Sequence, residues 1–250
     1  MATQQAGPAV PGRVIDIEHF SDVLCIWAYV AEVRLARVRE EFGEAVRFRH
    51  RFCSVFGDSA RRVADHWAAR GGFAGFGEHV REVAAGFDHV VVHPDLWAAV
   101  RPVSSASPHL FLHAVALAAG EAGPHAGEAP PGCKAGEALC ETPQERAAAA
   151  LRHAFFAENR DVSTWAVQAE LAEGLALPVD EIRAAIESGA AYARLADDYE
   201  DVHRLHVQGS PTLILDGGRQ KLYGNVGFRV IEVNIQELLR TPDHAHASWC

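Results

Sequence analysis

Strand patterns occur near the two ends of this chain, and a long stretch of helical pattern separates them. Near the N-terminus, VIDIEHF at residues 14–20 alternates apolar and polar side chains before turning apolar, as strands that enter a buried sheet do. Apolar positions then recur at helical spacing over residues 26–41, and VRFRHRF at residues 46–52 returns to alternation. These residues predict a β-α-β unit, whose two strands run parallel.

Near the C-terminus, two strand patterns follow each other with a short connection between them. PTLILD at residues 211–216 and RQKLYG at residues 219–224 are separated by two glycines, which is typical of a β-hairpin. FRVIEVNIQELLR at residues 228–240 follows and carries an apolar helical stripe. The order of elements in this part is therefore predicted to be β-β-α.

Residues 58–200 have the pattern of helices separated by glycine and proline. Within them, residues 120–144 are rich in Gly, Pro and Glu and are predicted to form an exposed loop. The two strand-containing parts have to close into one sheet. We therefore predict an α/β fold in which residues 1–57 and 201–250 form a mixed-sheet domain (βαβ then ββα) and residues 58–200 form a large inserted helical domain.

Charge and hydropathy exclude several classes of partner. The formal net charge is −10 and no basic block is present, which argues against nucleic acid and anionic membrane surfaces. The first residues, MATQQAGPAVPGR, lack the charged start and apolar centre of a secretion signal. No apolar run approaches the roughly 18 residues that a membrane span needs. We expect a cytoplasmic protein with no membrane or nucleic-acid partner.

Cys25 lies between the first predicted strand and the first predicted helix, in the stretch SDVLCIWAYV, where Ser21 or Asp22 is the expected helix cap. A thiol at a helix N-terminus faces unpaired N–H groups and the positive end of the helix dipole, which lower its pKa to roughly 3.5–7.5. Cys25 is therefore predicted to be a nucleophile. The alternative is a small packed side chain, as many free cysteines are.

Two motifs resemble one known family. FSDVLCIWAY at residues 20–29 resembles the active-site turn of the DsbA-like branch of the thioredoxin superfamily, including its FrnE-like and 2-hydroxychromene-2-carboxylate isomerase-like members. GSPTLIL at residues 209–215 resembles the segment that carries that superfamily's cis-proline. The resemblance implies a thioredoxin fold with an inserted helical domain, Cys25 as the nucleophilic thiol, and a cis peptide bond between Ser210 and Pro211.

The chain departs from the redox members of that family at the active-site turn. Where they have Cys-Pro-Trp-Cys, this chain has Cys-Ile-Trp-Ala, so Ala28 replaces the second thiol. A mixed disulfide is normally resolved by a thiol one helical turn away. Cys25 is thus expected to form adducts without closing a local disulfide, which favours chemistry on a small molecule or release by an external thiol.

Three further residues are candidates for substrate binding. Trp27 follows the thiol in the same turn, although its spacing also suits packing within the helix. Ser210 is expected to present its backbone N–H and C=O to a substrate, next to Pro211. An ordinary trans proline that opens a strand is the alternative for Pro211, since cis bonds occur at about 5% of X–Pro positions.

The chain has five cysteines, four besides Cys25. An odd number of cysteines in a protein of a reducing compartment argues against a disulfide framework. Cys53 ends the second predicted strand and should emerge at the same sheet edge as Cys25. The two alternatives for it are a resolving thiol for adducts on Cys25 and a thiol that packs in the core. Cys133 and Cys140 lie in the predicted loop, and Cys250 ends the chain. The spacing suggests no zinc site, so no metal is expected.

Histidine and arginine are abundant near the predicted site, but the sequence alone does not identify which of them acts as a general base. Fourteen histidines are present. The candidates in the predicted insertion are His66, His79, His89, His93, His109 and His113, and the arginines that could meet an acidic substrate are Arg51, Arg61 and Arg62.

Three functions remain open from the sequence. The first is a thiol-dependent enzyme that acts on a small organic molecule through Cys25, with no required cofactor but with a low-molecular-weight thiol such as glutathione left open. The second is a monothiol protein disulfide oxidoreductase or isomerase. The third is a non-catalytic ligand-binding module, which an unreactive Cys25 of high pKa would favour. Exposed apolar helix faces leave a homodimer open.

Overall fold

A computed structural model describes residues 12–121 and 141–240. The sheet has four strands in the order β2-β1-β3-β4. β1 pairs in parallel with β2 and antiparallel with β3, and β3 pairs antiparallel with β4. The strands are β1 (Ile15–Ser21), β2 (Val46–Phe52), β3 (Thr212–Leu215) and β4 (Gln220–Tyr223).

Helices account for most of the remaining described chain. A single turn of π-helix, Ala60–Asp65, precedes the second α-helix. The α-helices are α1 (Ile26–Phe42), α2 (Gly72–Ala84), α3 (Ala106–Ala118), α4 (Pro143–Phe156), α5 (Trp165–Gly174), α6 (Val179–Glu187), α7 (Ala190–Arg204) and α8 (Phe228–Arg240). None of the helices in the described ranges is long and apolar enough to cross a membrane.

The predicted β-α-β and β-β-α units are confirmed. β2 and α8 have the predicted bounds, and α1 extends one residue beyond its predicted end. A tight helical turn, Asp216–Gly218, joins β3 to β4, and both glycines there have positive φ, which glycine adopts without steric cost. The expected division between residues 200 and 201 falls inside α7, which continues to Arg204.

Two apolar cores lie on the two sides of the sheet. One joins the sheet to α1 and α8 through residues such as Ile17, Leu35 and Ile235. The other, larger core joins the first turn of α1 to the helices of residues 72–204 and includes Trp97 and Phe155. Burial of apolar side chains is the main contribution to folding, so the start of α1 is held by the same core that holds the helical region.

A buried ion cluster fixes α7 against β2. Arg51 of β2 is 2% exposed, and its Nε lies 2.8 Å from Asp198 Oδ1, while Asp201 meets the same guanidinium. Asp198 also accepts the Phe52 N–H at 2.8 Å and lies 2.8 Å from His113 Nε2. Charged groups this deeply buried are stable only when they are paired. Arg51 is therefore a structural residue, although the sequence made it a candidate for substrate binding.

Candidate active site

The turn that carries Cys25 connects β1 to α1 through four buried residues. Cys25 itself is the residue that caps α1, with an extended backbone and no side-chain hydrogen bond to the helix. Its N–H donates to the Asp22 carbonyl at 3.0 Å. The expectation that Ser21 or Asp22 caps α1 is wrong, because the Asp22 carboxylate is used elsewhere.

Asp22 joins the thiol turn to the loop that follows β2. Its carboxylate is fully buried, and one oxygen accepts the Leu24 N–H at 2.9 Å. The other oxygen accepts the N–H groups of Val55 and Phe56 at 2.9 and 2.8 Å and the Ser105 hydroxyl at 2.7 Å. Burial raises the pKa of Asp22, and these hydrogen bonds oppose the shift. The Asp22 carboxylate thus links the thiol turn to the loop after β2 and to Ser105, which precedes α3.

Ser210 contacts the thiol turn from the opposite side. The Cys25 Sγ–H donates to the Ser210 carbonyl at 3.3 Å, and the Asp22 N–H donates to the Ser210 hydroxyl at 2.9 Å. The Ser210–Pro211 peptide bond is cis. The two sequence motifs, which lie about 180 residues apart in the chain, therefore meet at a single contact around the sulfur.

The pKa of Cys25 moves opposite to the prediction from the sequence. Cys25 is 6% exposed, and burial raises the pKa of its thiol. The Ser210 side chain and the N–H groups of Ala28 and Trp27 lower it, while the charge of Asp22 adds to the rise. The helix N-terminus acts in the expected direction, but removal of the thiolate from water has the larger effect. The expected lowered pKa is therefore wrong.

Cys53 directly follows β2, the strand that pairs in parallel with β1, and β1 leads into the turn that carries Cys25. The sheet pairs Ser21 with Phe52, and the Cys53 N–H donates to the Ser21 carbonyl at 3.1 Å. Burial, followed by the charges of Asp22 and Cys25, raises the pKa of Cys53 far above the usual thiol value. Both thiols are free and buried. Cys133, Cys140 and Cys250 lie outside the described residues.

A cavity of about 520 Å³ opens beside the two thiols. Of the three residues predicted to bind substrate, Trp27 and Ser210 line this cavity, whereas Pro211 borders a small crevice by His19 and Leu213. The described lining residues are Cys25, Ile26, Trp27, Cys53, Ser54, Val55, Phe56, Arg62, Trp67, Phe76, His79, Val80, Val202, Val207, Gln208, Gly209, Ser210 and Tyr223.

Few of the candidate basic residues reach this cavity. His79 and Arg62 line it, whereas His66, His89, His93 and Arg61 do not. His109 lies behind the site, where it accepts the Val23 N–H at 3.1 Å, and burial lowers its pKa to about 3. His113 belongs to the cluster around Asp198. Of the six candidate histidines, His79 is the one that lines the cavity.

Two functional features were missed by sequence reasoning. The aromatic residues that line the cavity are Trp67 and Phe76, nine residues apart, and Tyr223 of β4, and no local pattern marks them as one set. The role of Asp22 was also missed, although its position in the Asp-Val-Leu-Cys stretch of the active-site motif was a usable signal.

A second polar cluster lies on the other side of the sheet, between α1 and α4. His19 Nδ1 and His50 Nδ1 are 3.2 Å apart, and His50 and Arg39 both contact the Glu145 carboxylate. Burial disfavours the charge of Glu145, but His50 and Arg39 outweigh it and hold its pKa at about 2. Burial and the nearby charge of His50 lower the pKa of His19. This cluster includes no group of three residues arranged as metal ligands, and neither does any other part of the described chain.

One family model matches part of the chain, and several solved structures share its fold. Residues 135–236, fewer than half of the chain, match the family described as the DSBA-like thioredoxin domain. The solved structures that it resembles include oxidoreductases, a disulfide reductase and an isomerase. No curated protein matches the chain.

Three of these structures illustrate the likeness. A probable DsbA oxidoreductase from Streptomyces coelicolor is 21% identical, with a TM-score of 0.65 over 89% of each chain. The cytosolic disulfide reductase DsbM from Pseudomonas aeruginosa is 17% identical, with a TM-score of 0.59 over 89% of this chain and 99% of that one. The 2-hydroxychromene-2-carboxylate isomerase is 15% identical, with a TM-score of 0.57 over 90% and 96%. At these identities the likeness concerns the fold.

Proposed function

We propose that the protein is a thiol-dependent enzyme in which Cys25 acts as the single nucleophile on a small organic molecule. The observation that carries the proposal is the placement of the Cys25 sulfur, between the start of α1 and the Ser210 carbonyl, at the wall of a cavity of about 520 Å³. Such a volume suits a small molecule. Ala28 occupies the position of the resolving thiol, so the turn at the start of α1 supplies one thiol, and Cys53 is the other thiol that lines the cavity.

The chemistry follows from these atoms. The Cys25 thiol passes its proton to solvent, and the sulfur then attacks an electrophilic carbon or a disulfide sulfur of the substrate. The bond to the leaving group breaks with its electron pair, and that group takes up a proton. Since Ala28 cannot attack the resulting adduct, release requires reversal of the bond or attack by a second thiol that enters the cavity.

A low-molecular-weight thiol such as glutathione is the proposed second thiol where one is needed. The backbone beside the cis bond at Ser210 contacts Cys25 and is available to pair with a peptide-like thiol compound. In support, the structure of DsbM from Pseudomonas aeruginosa with GSH has the same fold, at a TM-score of 0.57. The same neighbour is a cytosolic protein, which supports the proposed cytoplasmic location.

A specific observation favours a second candidate, a non-catalytic binding module. Burial raises the pKa of Cys25, so the folded protein holds the sulfur as a thiol at neutral pH. A module that keeps the fold and the cavity without chemistry would show this property. The enzyme is preferred because three hydrogen-bonding groups, the Ser210 side chain and the N–H groups of Ala28 and Trp27, act to stabilise the thiolate once it forms.

One measurement distinguishes the thiol-dependent enzyme from the non-catalytic binding module. Protein purified without reductant is treated with glutathione disulfide at pH 8 and analysed by intact mass, with the modified cysteine assigned from tryptic peptides. We expect one glutathione per chain on the peptide of residues 14–34, whose one cysteine is Cys25. The Cys25→Ser variant should lose this adduct, and the Cys53→Ser variant serves as its matched control and should keep it. An unmodified residue 14–34 peptide would support the binding module.

A further inference from the structure

Each backbone N–H group of the thiol turn, residues 22–25, has an acceptor. Two of the four acceptors lie within the turn itself. The Leu24 N–H donates to the Asp22 carboxylate at 2.9 Å, and the Cys25 N–H donates to the Asp22 carbonyl at 3.0 Å. These two bonds fix the shape of the turn, but they do not fix its place in the protein.

The other two N–H groups of the turn donate to side chains that come from elsewhere. The Asp22 N–H donates to the Ser210 hydroxyl at 2.9 Å, and the Val23 N–H donates to His109 Nε2 at 3.1 Å. A buried N–H group without an acceptor is costly. The place of the turn therefore depends on one contact from the segment before β3 and on one contact from α3.

The contact with Val23 determines the protonation of His109. A backbone N–H can only donate, so Nε2 accepts through its lone pair and the ring proton is on Nδ1. Burial lowers the pKa of His109 to about 3; His113 and Arg152 lower it as well, while Asp198 opposes them. The ring is thus neutral above about pH 4, and its lone pair stays available to the turn.

The position of His109 beside Asp22 makes this neutral state important. His109 Nε2 lies 3.8 Å from Asp22 Oδ1, so a proton on Nε2 would bind the carboxylate and the Val23 N–H would lose its acceptor. His109 Nδ1 makes no hydrogen bond to any described residue. Val23 is therefore the one hydrogen-bond partner of this ring within the described ranges.

The start of α3 contacts the thiol turn at a second point. Ser105, which precedes α3, donates its hydroxyl to Asp22 Oδ2 at 2.7 Å. Ser105 lies four residues before His109, a spacing that places both on one face of a helix, and its carbonyl accepts the His109 N–H at 3.1 Å. The His109 ring also stacks on Phe52, with 4.7 Å between centroids. The helical region thus holds the thiol turn through one end of α3.

We infer that His109 is a positioning residue for the Cys25 thiol, because it accepts the Val23 N–H and so fixes the turn that carries the sulfur to the Ser210 carbonyl. The inference rests on the proposed function, since it takes Cys25 as the reacting atom. His109 does not line the cavity, and it acts through the backbone two residues before Cys25. Without this acceptor the Asp22–Val23 peptide turns toward water, and the sulfur becomes more exposed.

Two substitutions of His109 test the assignment. His109→Leu removes the acceptor and keeps a buried apolar side chain, whereas the amide oxygen of His109→Gln can still accept the Val23 N–H. The rate of iodoacetamide labelling is followed against pH on the tryptic peptide of residues 14–34, which contains Cys25. Burial is the main cause of the raised pKa of Cys25. We therefore expect the midpoint of the pH–rate curve to move to lower pH in His109→Leu and to return to its natural value in His109→Gln.

Val115→Ala is the matched control for loss of stability. Val115 is 1% exposed and lies on α3 six residues beyond His109, about 9 Å along the helix. Urea unfolding should show a loss of stability for this variant, while the midpoint of Cys25 labelling stays unchanged. An equal shift of the midpoint in Val115→Ala and His109→Leu would assign the effect to any loosening of α3 and would overturn the role of His109.

The ring nitrogens of the natural protein provide a second measurement. Long-range ¹H–¹⁵N NMR spectra at pH 6.5 should show His109 with a proton on Nδ1 and none on Nε2, the signals being assigned by their absence in His109→Gln. A proton on Nε2, or a midpoint that His109→Leu leaves unchanged, would remove the inference and leave the proposed function intact. If Cys25 of the natural protein is not labelled at any pH while the unfolded chain is, the proposed function is wrong, and the inference falls with it.

Discussion

Replacement of Asp22 by asparagine should weaken the fold and at the same time make Cys25 more reactive. The Asp22 carboxylate accepts four hydrogen bonds, three at Oδ2 and one, from the Leu24 N–H, at Oδ1. An amide has one acceptor oxygen and one donating NH₂. If the amide oxygen replaces Oδ2, the NH₂ faces the buried N–H of Leu24. A buried donor without a partner costs roughly 1–3 kcal/mol, which is the expected loss in the free energy of unfolding.

The effect on Cys25 has the opposite sign. The charge of Asp22 contributes to the raised pKa of Cys25, so its removal should lower that pKa. A lower pKa raises the thiolate fraction of Cys25 at any fixed pH below that pKa, so labelling should be faster. Urea denaturation measures the stability, and iodoacetamide labelling of the residue 14–34 peptide measures the reactivity. Asp88→Asn, an exposed change of the same kind, is the control. Unchanged stability, or slower labelling of Cys25, would refute the account of Asp22.

Further predictions concern the thiols and the second polar cluster. Cys25 should alkylate faster than Cys53 at pH 7, because the pKa of Cys53 is raised far above the usual thiol value. The Cys25 rate should keep rising above pH 9, since burial raises the pKa of Cys25 as well. Equal rates measured on the two peptides would contradict the first expectation. Ala28→Cys should gain turnover in insulin reduction, because side chains three residues apart on a helix are neighbours, whereas a natural protein that already reduces insulin as fast would point to resolution by Cys53. Glu145→Gln should remove an acid-dependent loss of stability. The pKa of Glu145 is about 2, below its usual 4.5. Its ion pairs with Arg39 and His50 therefore stabilise the fold above pH 4.5, and this stabilisation is lost as the pH falls toward 2. The shift corresponds to about 3 kcal/mol at most, and urea unfolding at pH 6 and pH 3 should show a smaller difference for the variant than for the natural protein.

Local sequence patterns were sufficient for the elements that build the sheet. The alternation in residues 46–52 and the apolar stripe of residues 228–240 gave strand and helix with the observed bounds. Both patterns follow from geometry that each segment has by itself, a period of two for a strand and of 3.6 for a helix. The two motifs around Cys25 and Ser210 were informative for a related reason, since each is short and its residues are contiguous.

Properties that depend on distant segments were decided by the tertiary structure. The helix N-terminus next to Cys25 is visible in the sequence, but the burial that reverses the direction of its pKa shift comes from the large core on the helical side of the sheet. The cavity lining likewise combines Arg62 and Trp67 with Tyr223, about 160 residues away in the sequence. The sequence determined which residues could react, because reactivity begins with chemical identity. Only the packed structure decided how much water they lose and which charges face them, because desolvation and Coulomb energies depend on distances in space.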